Sequence, residues 1–216
     1  AELQSYLIEI TADIFRHHDP EGKGELVDHI LDATAQKGTG KWTVQEAAEL
    51  GVAVPTIATS VEARVISFAR DARLRASELL SGPTPIAIGV DKKQLVEDVG
   101  AALYASKACS YAQGMNLLRV ASSTHGWGLD LGELARIWQA GCIIRARFLG
   151  RITDAYRADP ELPNLMRAPF FEGVLNRSQQ AWREVVAMAV ASGVPVPALS
   201  ASLAYYDSYR CARLPA

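Results

Sequence analysis

The sequence predicts an all-α fold, a multi-helix bundle, on three observations. Apolar residues recur at intervals of three and four through most of the chain. No run of alternating residues is long enough for a sheet, and no Gly-x-Gly-x-x-Gly follows a strand, so the chain carries no dinucleotide fold of its own. Its 216 residues, 49% apolar and 21% charged, can bury one large core, and the expectation is a single helical domain over 1–216.

The elements follow in order. Leu3, Tyr6, Leu7, Ile10, Ile14 and Phe15 mark an amphipathic helix with little cap of its own, as in a chain that begins part-way through a larger protein. His17-His18-Asp19-Pro20 closes it, because the residue before proline disfavours the helical region. Adjacent histidines point to different helix faces, which speaks for a solvated helix end over a metal site. A second helix is expected from about Glu25 to Gln36, with Leu26, Ile30 and Leu31 inward. Thr43-Val44-Gln45-Glu46 reads as a capping box that starts a short helix ended by Gly51. Beyond the extended link Val52-Ala53-Val54-Pro55, a long helix runs from about Thr56 to Leu80. Arg64 borders its apolar face, and Arg70, Arg73 and Arg75, interleaved with Asp71 and Glu78, read as a solvated face with local pairing.

Ser81-Gly82-Pro83-Thr84-Pro85 is the clearest break, a loop between equally apolar helical flanks. Asp91 can cap the next helix, to about Ser122. Ala105, Ser106, Ala108, Ser110, Ala112 and Gly114 permit close approach, which places this helix across the centre of the bundle. Lys107 on so apolar a helix is accounted for by snorkelling. Asp130 starts a helix holding Leu134, Ile137 and Trp138, and another runs from Ile143 to about Tyr156. Arg145, Arg147 and Arg151 there are open to two readings, a surface stripe or an interface or ligand contact. Phe170 to Ala191 is helical with Phe171, Val174, Leu175, Trp182, Val185 and Ala189 inward, and Ser200 caps a last helix through Arg213. Gly51-Val52-Ala53-Val54-Pro55 and Gly193-Val194-Pro195-Val196-Pro197 hint at a duplicated helical hairpin.

A formal net charge of −2 gives no basic field, which argues against nucleic acid and anionic membrane as partners. No apolar run approaches a membrane span. Cys109, Cys142 and Cys211 show no metal spacing and no Cys-x-x-Cys pair. Free thiols and the absence of an opening secretory signal lead to a cytoplasmic expectation without a metal.

One stretch carries chemistry. In Lys37-Gly38-Thr39-Gly40-Lys41-Trp42 two glycines frame a threonine between two lysines. Glycines let backbone N–H groups approach a ligand, and the lysines and hydroxyl add donors, a set suited to a phosphate. The P-loop spacing is absent, since Trp42 stands where that motif needs a hydroxyl residue. A plain helix–loop–helix turn is the competing reading.

Ile30-x-Asp32-x-x-Ala35-Gln36-Lys37-Gly38-Thr39-Gly40-x-Trp42 resembles the signature segment of the 6-phosphogluconate dehydrogenases. Leu103-Tyr104-Ala105-Ser106-Lys107, Ser110-Tyr111-Ala112-Gln113-Gly114, Gly141-Cys142-Ile143-Ile144-Arg145 and Tyr206-Asp207-x-Tyr209-Arg210 agree as well. The resemblance implies the mainly helical domain of a homodimeric enzyme that oxidises 6-phosphogluconate with NADP and releases CO2, giving ribulose 5-phosphate. It implies substrate-phosphate binding by Lys37, Thr39 and Arg64, with Lys41 left free by the pattern. It also implies that the Rossmann domain, the family's catalytic lysine and glutamate, its His-Asn pair and phosphate-binding tyrosine precede this chain. An arginine and a histidine that reach the partner's site would lie in a tail beyond it. No catalytic residue is therefore carried onto this chain, NADP-reading residues lie elsewhere, and the chain alone is expected to be inactive. Lys107 is not promoted to the missing lysine. Two other classes compete: a helical dimerisation module whose loop is only a turn, and a domain of a related β-hydroxyacid dehydrogenase.

Overall fold

In the computed structural model, which describes residues 3–22, 24–35, 37–83 and 91–215, helices account for the regular structure. They are α1 (Tyr6–Ile14), α2 (Thr39–Glu49), α3 (Pro55–Phe68), α4 (Arg70–Leu79), α5 (Lys92–His125), α6 (Leu131–Ile137), α7 (Phe148–Ala158), α8 (Pro169–Ala191) and α9 (Pro197–Arg210). Among the described residues the only β pairing is two isolated bridges, Ser5 with Ala146 and His18 with Glu25. The all-α expectation holds.

α5 is the axis. The Asp91 carboxylate caps it, accepting from the N–H groups of Lys93 and Gln94, and Gly126 ends it in the left-handed conformation at φ +69°. Its small residues Ala102, Ala105, Ala108 and Ala112 are buried where α8 and α9 cross. α8 completes the large core through Phe171, Val174, Leu175, Trp182 and Val185, and Ala189, the other residue expected to face inward, is buried as well. Trp182 donates its indole N–H to the Leu199 carbonyl at 3.2 Å, which docks α9. Phe148 of α7 sits at the centre, edge-on to Tyr104 and Phe171. A smaller cluster of Ala47, Val52, Val54 and Leu117 joins α2 and the start of α3 to α5.

The two glycine breaks have matching backbones. Gly51 (φ +64°) and Gly193 (φ +68°) both turn left-handed. The Val52 N–H donates to the Ala47 carbonyl at 2.8 Å and the Val194 N–H to the Ala189 carbonyl at 2.9 Å. Each break then enters a helix whose first residue is proline, and the two helices, α3 and α9, pack together.

Several boundaries differ from expectation. α1 does have a cap, the Ser5 hydroxyl accepting from the Ile8 N–H at 3.4 Å. The helix expected over 25–36 is a single 3-10 turn, Leu26–His29, followed by extended chain in which Ile30 and Leu31 stand exposed; Gln36 lies outside the described residues. α2 starts at Thr39 and not at Thr43, whose hydroxyl donates to the Thr39 carbonyl at 2.9 Å inside the helix. The long helix breaks at Ala69 (ψ +49°) into α3 and α4. Residues 143–147 are not helical: there the Tyr6 N–H donates to the Arg145 carbonyl and the Arg147 N–H to the Gln4 carbonyl, so the chain pairs with the N-terminal segment. α9 stops at Arg210, and Ser200 lies inside its first turn, donating to the Val196 carbonyl. Of the central loop, Thr84 and Pro85 lie outside the described residues.

Candidate functional site

The glycine stretch forms the wall of a pocket of about 290 Å³ lined by Lys37, Gly38, Thr39, Gly40, Val61 and Arg64. The residues singled out from the sequence, Lys37, Thr39 and Arg64, are thus brought together. Gly38 is the N-cap of α2 at φ +98°, a conformation that side chains resist. The Trp42 N–H is the first to close a turn, on the Gly38 carbonyl at 3.0 Å. Among the described residues no backbone carbonyl accepts from the N–H groups of Thr39 and Lys41, and the positive end of the helix dipole faces the pocket. Gly40 has a different reason to be glycine. A Cβ there would stand 2.8 Å from Val61 Cγ2, so α2 and α3 approach only because it is absent.

Arg64 crosses from α3 and donates from one terminal guanidinium nitrogen to the Ala35 carbonyl. Arg70 and Arg73 are not paired with Asp71 and Glu78 as expected. Arg70 Nε donates to Asp32 Oδ1 at 2.7 Å, and Arg73 donates to Asp32 Oδ2 at 3.1 Å and to the Asp32 carbonyl at 2.7 Å. The Asp32 carboxyl is held below its ordinary value, first by the Arg70 hydrogen bond and then by Arg73. Spacing could not reveal this pairing, because its partners lie in another part of the chain.

Three other basic residues singled out from the sequence, Lys107, Arg145 and Arg151, lie against aromatic rings. Lys107 Nζ lies 5.2 Å from the Phe148 ring centroid, and burial lowers its pKa. Arg145 stacks on Tyr6 at 4.0 Å and Arg151 on Phe170 at 4.7 Å. Among the described residues no group of three or more His, Cys, Asp or Glu side chains is placed to hold a metal ion. Among the described residues no helix is long and apolar enough to cross a membrane.

A family model described as 6-phosphogluconate dehydrogenase, C-terminal domain, matches residues 1–216. The chain belongs to the 6-phosphogluconate dehydrogenase family. It is 57% identical over 219 residues to "6-phosphogluconate dehydrogenase, decarboxylating 2" of Arabidopsis thaliana, covering 100% of this chain and 45% of that protein. To "6-phosphogluconate dehydrogenase, decarboxylating" of Synechococcus elongatus it is 56% identical over 215 residues, 99% of this chain and 46% of the relative. The solved Plasmodium falciparum 6-phosphogluconate dehydrogenase superposes with a TM-score of 0.93 at 41% identity, over 100% of this chain and 46% of that one. That enzyme was solved in its apo form, with its cofactor NADP+ and with its substrate 6-phosphogluconate. The chain spans a little under half the length of these relatives, and what it matches in the family is the helical C-terminal domain.

Proposed function

We propose that residues 1–216 act as one helical substrate-binding and dimerisation domain of an NADP-dependent dehydrogenase that oxidatively decarboxylates 6-phosphogluconate to ribulose 5-phosphate and CO2. The observation that carries this reading is the convergence of Lys37, Thr39 and Arg64 on one pocket at the start of α2. Arg64 offers a planar fork, Lys37 a mobile ammonium, Thr39 a hydroxyl, and the first turn of α2 its free N–H groups. A phosphate dianion answers all four, and the carboxylate and hydroxyls of the sugar acid then extend away from the loop. The family resemblance assigns the nucleotide and the acid–base groups to segments outside this chain. The part left to these residues is to hold and orient the phosphate end of the substrate.

A homodimer accords with the exposed apolar side chains Ile66 and Phe68 on α3, Leu79 and Leu80 at the end of α4, and Val96 in the first turns of α5. A cytoplasmic setting accords with free Cys109, Cys142 and Cys211, none bridged in the structure.

The test is NADPH formation from 6-phosphogluconate by the full-length dehydrogenase that carries this domain. Lys37→Ala and Arg64→Ala should each raise KM about tenfold to a hundredfold, the worth of one charge-assisted hydrogen bond, and change kcat less. Variants that behave like wild type would make the loop a turn and nothing more.

A further inference from the structure

The chain that leads into the pocket has little apolar anchoring. After the 3-10 turn it runs extended from Ile30, and Ile30 and Leu31 point to solvent. Polar bonds to the α3–α4 corner hold it instead. Arg70 and Arg73 grip the two carboxylate oxygens of Asp32. One Arg73 nitrogen also reaches the Asp32 carbonyl at 2.7 Å and the Ser67 carbonyl at 3.1 Å, so it ties loop and corner at a single point. The Ser67 hydroxyl donates to the Asp32 carbonyl at 3.2 Å and accepts from the Thr34 N–H at 3.2 Å. Ser67 lies three residues, one helical turn, beyond Arg64 on the same helix.

We propose that Asp32 is the positioning residue of this loop: clamped by Arg70, Arg73 and Ser67, it sets where Lys37 and Thr39 stand relative to Arg64 and so tunes affinity for a phosphate-terminated substrate. The inference rests on the reading of Lys37, Thr39 and Arg64 as the phosphate site. Its physical basis is that anchor and ligand group share one rigid element. Arg64 on α3 meets the anion, and the corner at the end of α3 fixes the loop that brings the other two donors to it. Arg64 already gives one nitrogen to the Ala35 carbonyl. The Asp32 clamp therefore holds the loop by groups that are not themselves in the pocket, and Arg64 does not have to do both tasks alone.

The experiment compares 6-phosphogluconate with its dephosphorylated analogue gluconate in the full-length dehydrogenase, for wild type, Asp32→Asn, Ser67→Ala and Lys37→Ala. Asp32→Asn keeps the volume and one acceptor but loses the double grip. Its kcat/KM for 6-phosphogluconate should fall about tenfold through KM, while that for gluconate stays at the wild-type level, the signature of displaced phosphate donors. Ser67→Ala should move the same ratio in the same direction by less, and it carries the test should the Asp32 variant not fold. An unchanged ratio in the Asp32 and Ser67 variants, with Lys37→Ala still selective against 6-phosphogluconate, overturns the positioning role and leaves the phosphate site standing. An equal fall for both substrates also overturns it, because the clamp is then a general structural contact. If Lys37→Ala leaves the ratio at the wild-type level, the phosphate site itself fails and the positioning role with it.

Discussion

Asp207 answers two arginines at once. Arg183 on α8 donates to its Oδ2 at 2.8 Å and Arg210, one turn on along α9, to its Oδ1 at 3.0 Å. The Arg183 hydrogen bond is the main reason that the carboxyl sits below its ordinary value of 3.8. A carboxylate lowered on folding stabilises the fold fully above its unfolded value, and that contribution is lost as pH falls through the folded one. Urea unfolding followed below pH ~5 should therefore show an acid-side loss of stability that Asp207→Asn flattens. The cysteines differ by a related argument. Burial pushes the Cys109 thiol up to about 12, and it lies 3.6 Å from Met166 Sδ, whereas Cys211 is exposed. A thiol reagent at mildly alkaline pH should label Cys211 in the native protein and reach Cys109 only on unfolding, as mass spectrometry of the labelled peptides would report.

Glycines at the level of the element make opposite demands. Gly40 lets α2 meet α3, so Gly40→Ala should cost about 1–3 kcal/mol as an overpacking change and disturb the pocket beside it. Gly100 lies within α5 with nothing near its missing Cβ, and Gly100→Ala should add about 0.5–1 kcal/mol. Thermal melts of the two variants would separate the roles. The same contrast explains what periodicity could read. In α8 the apolar spacing alone found the inward face, because burial drives that helix. Over 30–36 the spacing of Ile30 and Leu31 suggested helix, yet both are exposed and the chain's carbonyls at Asp32 and Ala35 go to Arg73, Ser67 and Arg64. Those partners are long-range in sequence, and a local pattern carries no trace of them. For the pocket, residue chemistry already marked Lys37 and Thr39 as donors suited to a phosphate, while Arg64 came through the family resemblance. The clamp on Asp32 came only from the structure.

Across the whole molecule, α5 carries two cores that differ in size. Its middle is sealed between α7, α8 and α9, and its C-terminal part holds the small cluster with α2 and the start of α3. The polar link between the two regions is buried: Gln113 Oε1 accepts from the Thr56 N–H at 3.0 Å, and Gln113 Nε2 donates to the Thr56 hydroxyl at 2.9 Å. The Thr56 N–H is one of the orphan donors at the start of α3, so a side chain of α5 completes the helix that bears Arg64. Gln113→Leu keeps much of the volume and leaves both Thr56 groups unsatisfied, at a cost of about 1–3 kcal/mol. The loss should not be uniform. Amides of α8 and of the first half of α5 should keep their slow hydrogen exchange, while those of α2 and α3 exchange faster, because the small cluster opens without the large core. Equal acceleration along the chain would mean that the two clusters unfold as one unit. Faster exchange confined to α2 and α3 would make the arm that carries Lys37, Thr39 and Arg64 separately adjustable, with one glutamine of the central helix among the contacts that hold it.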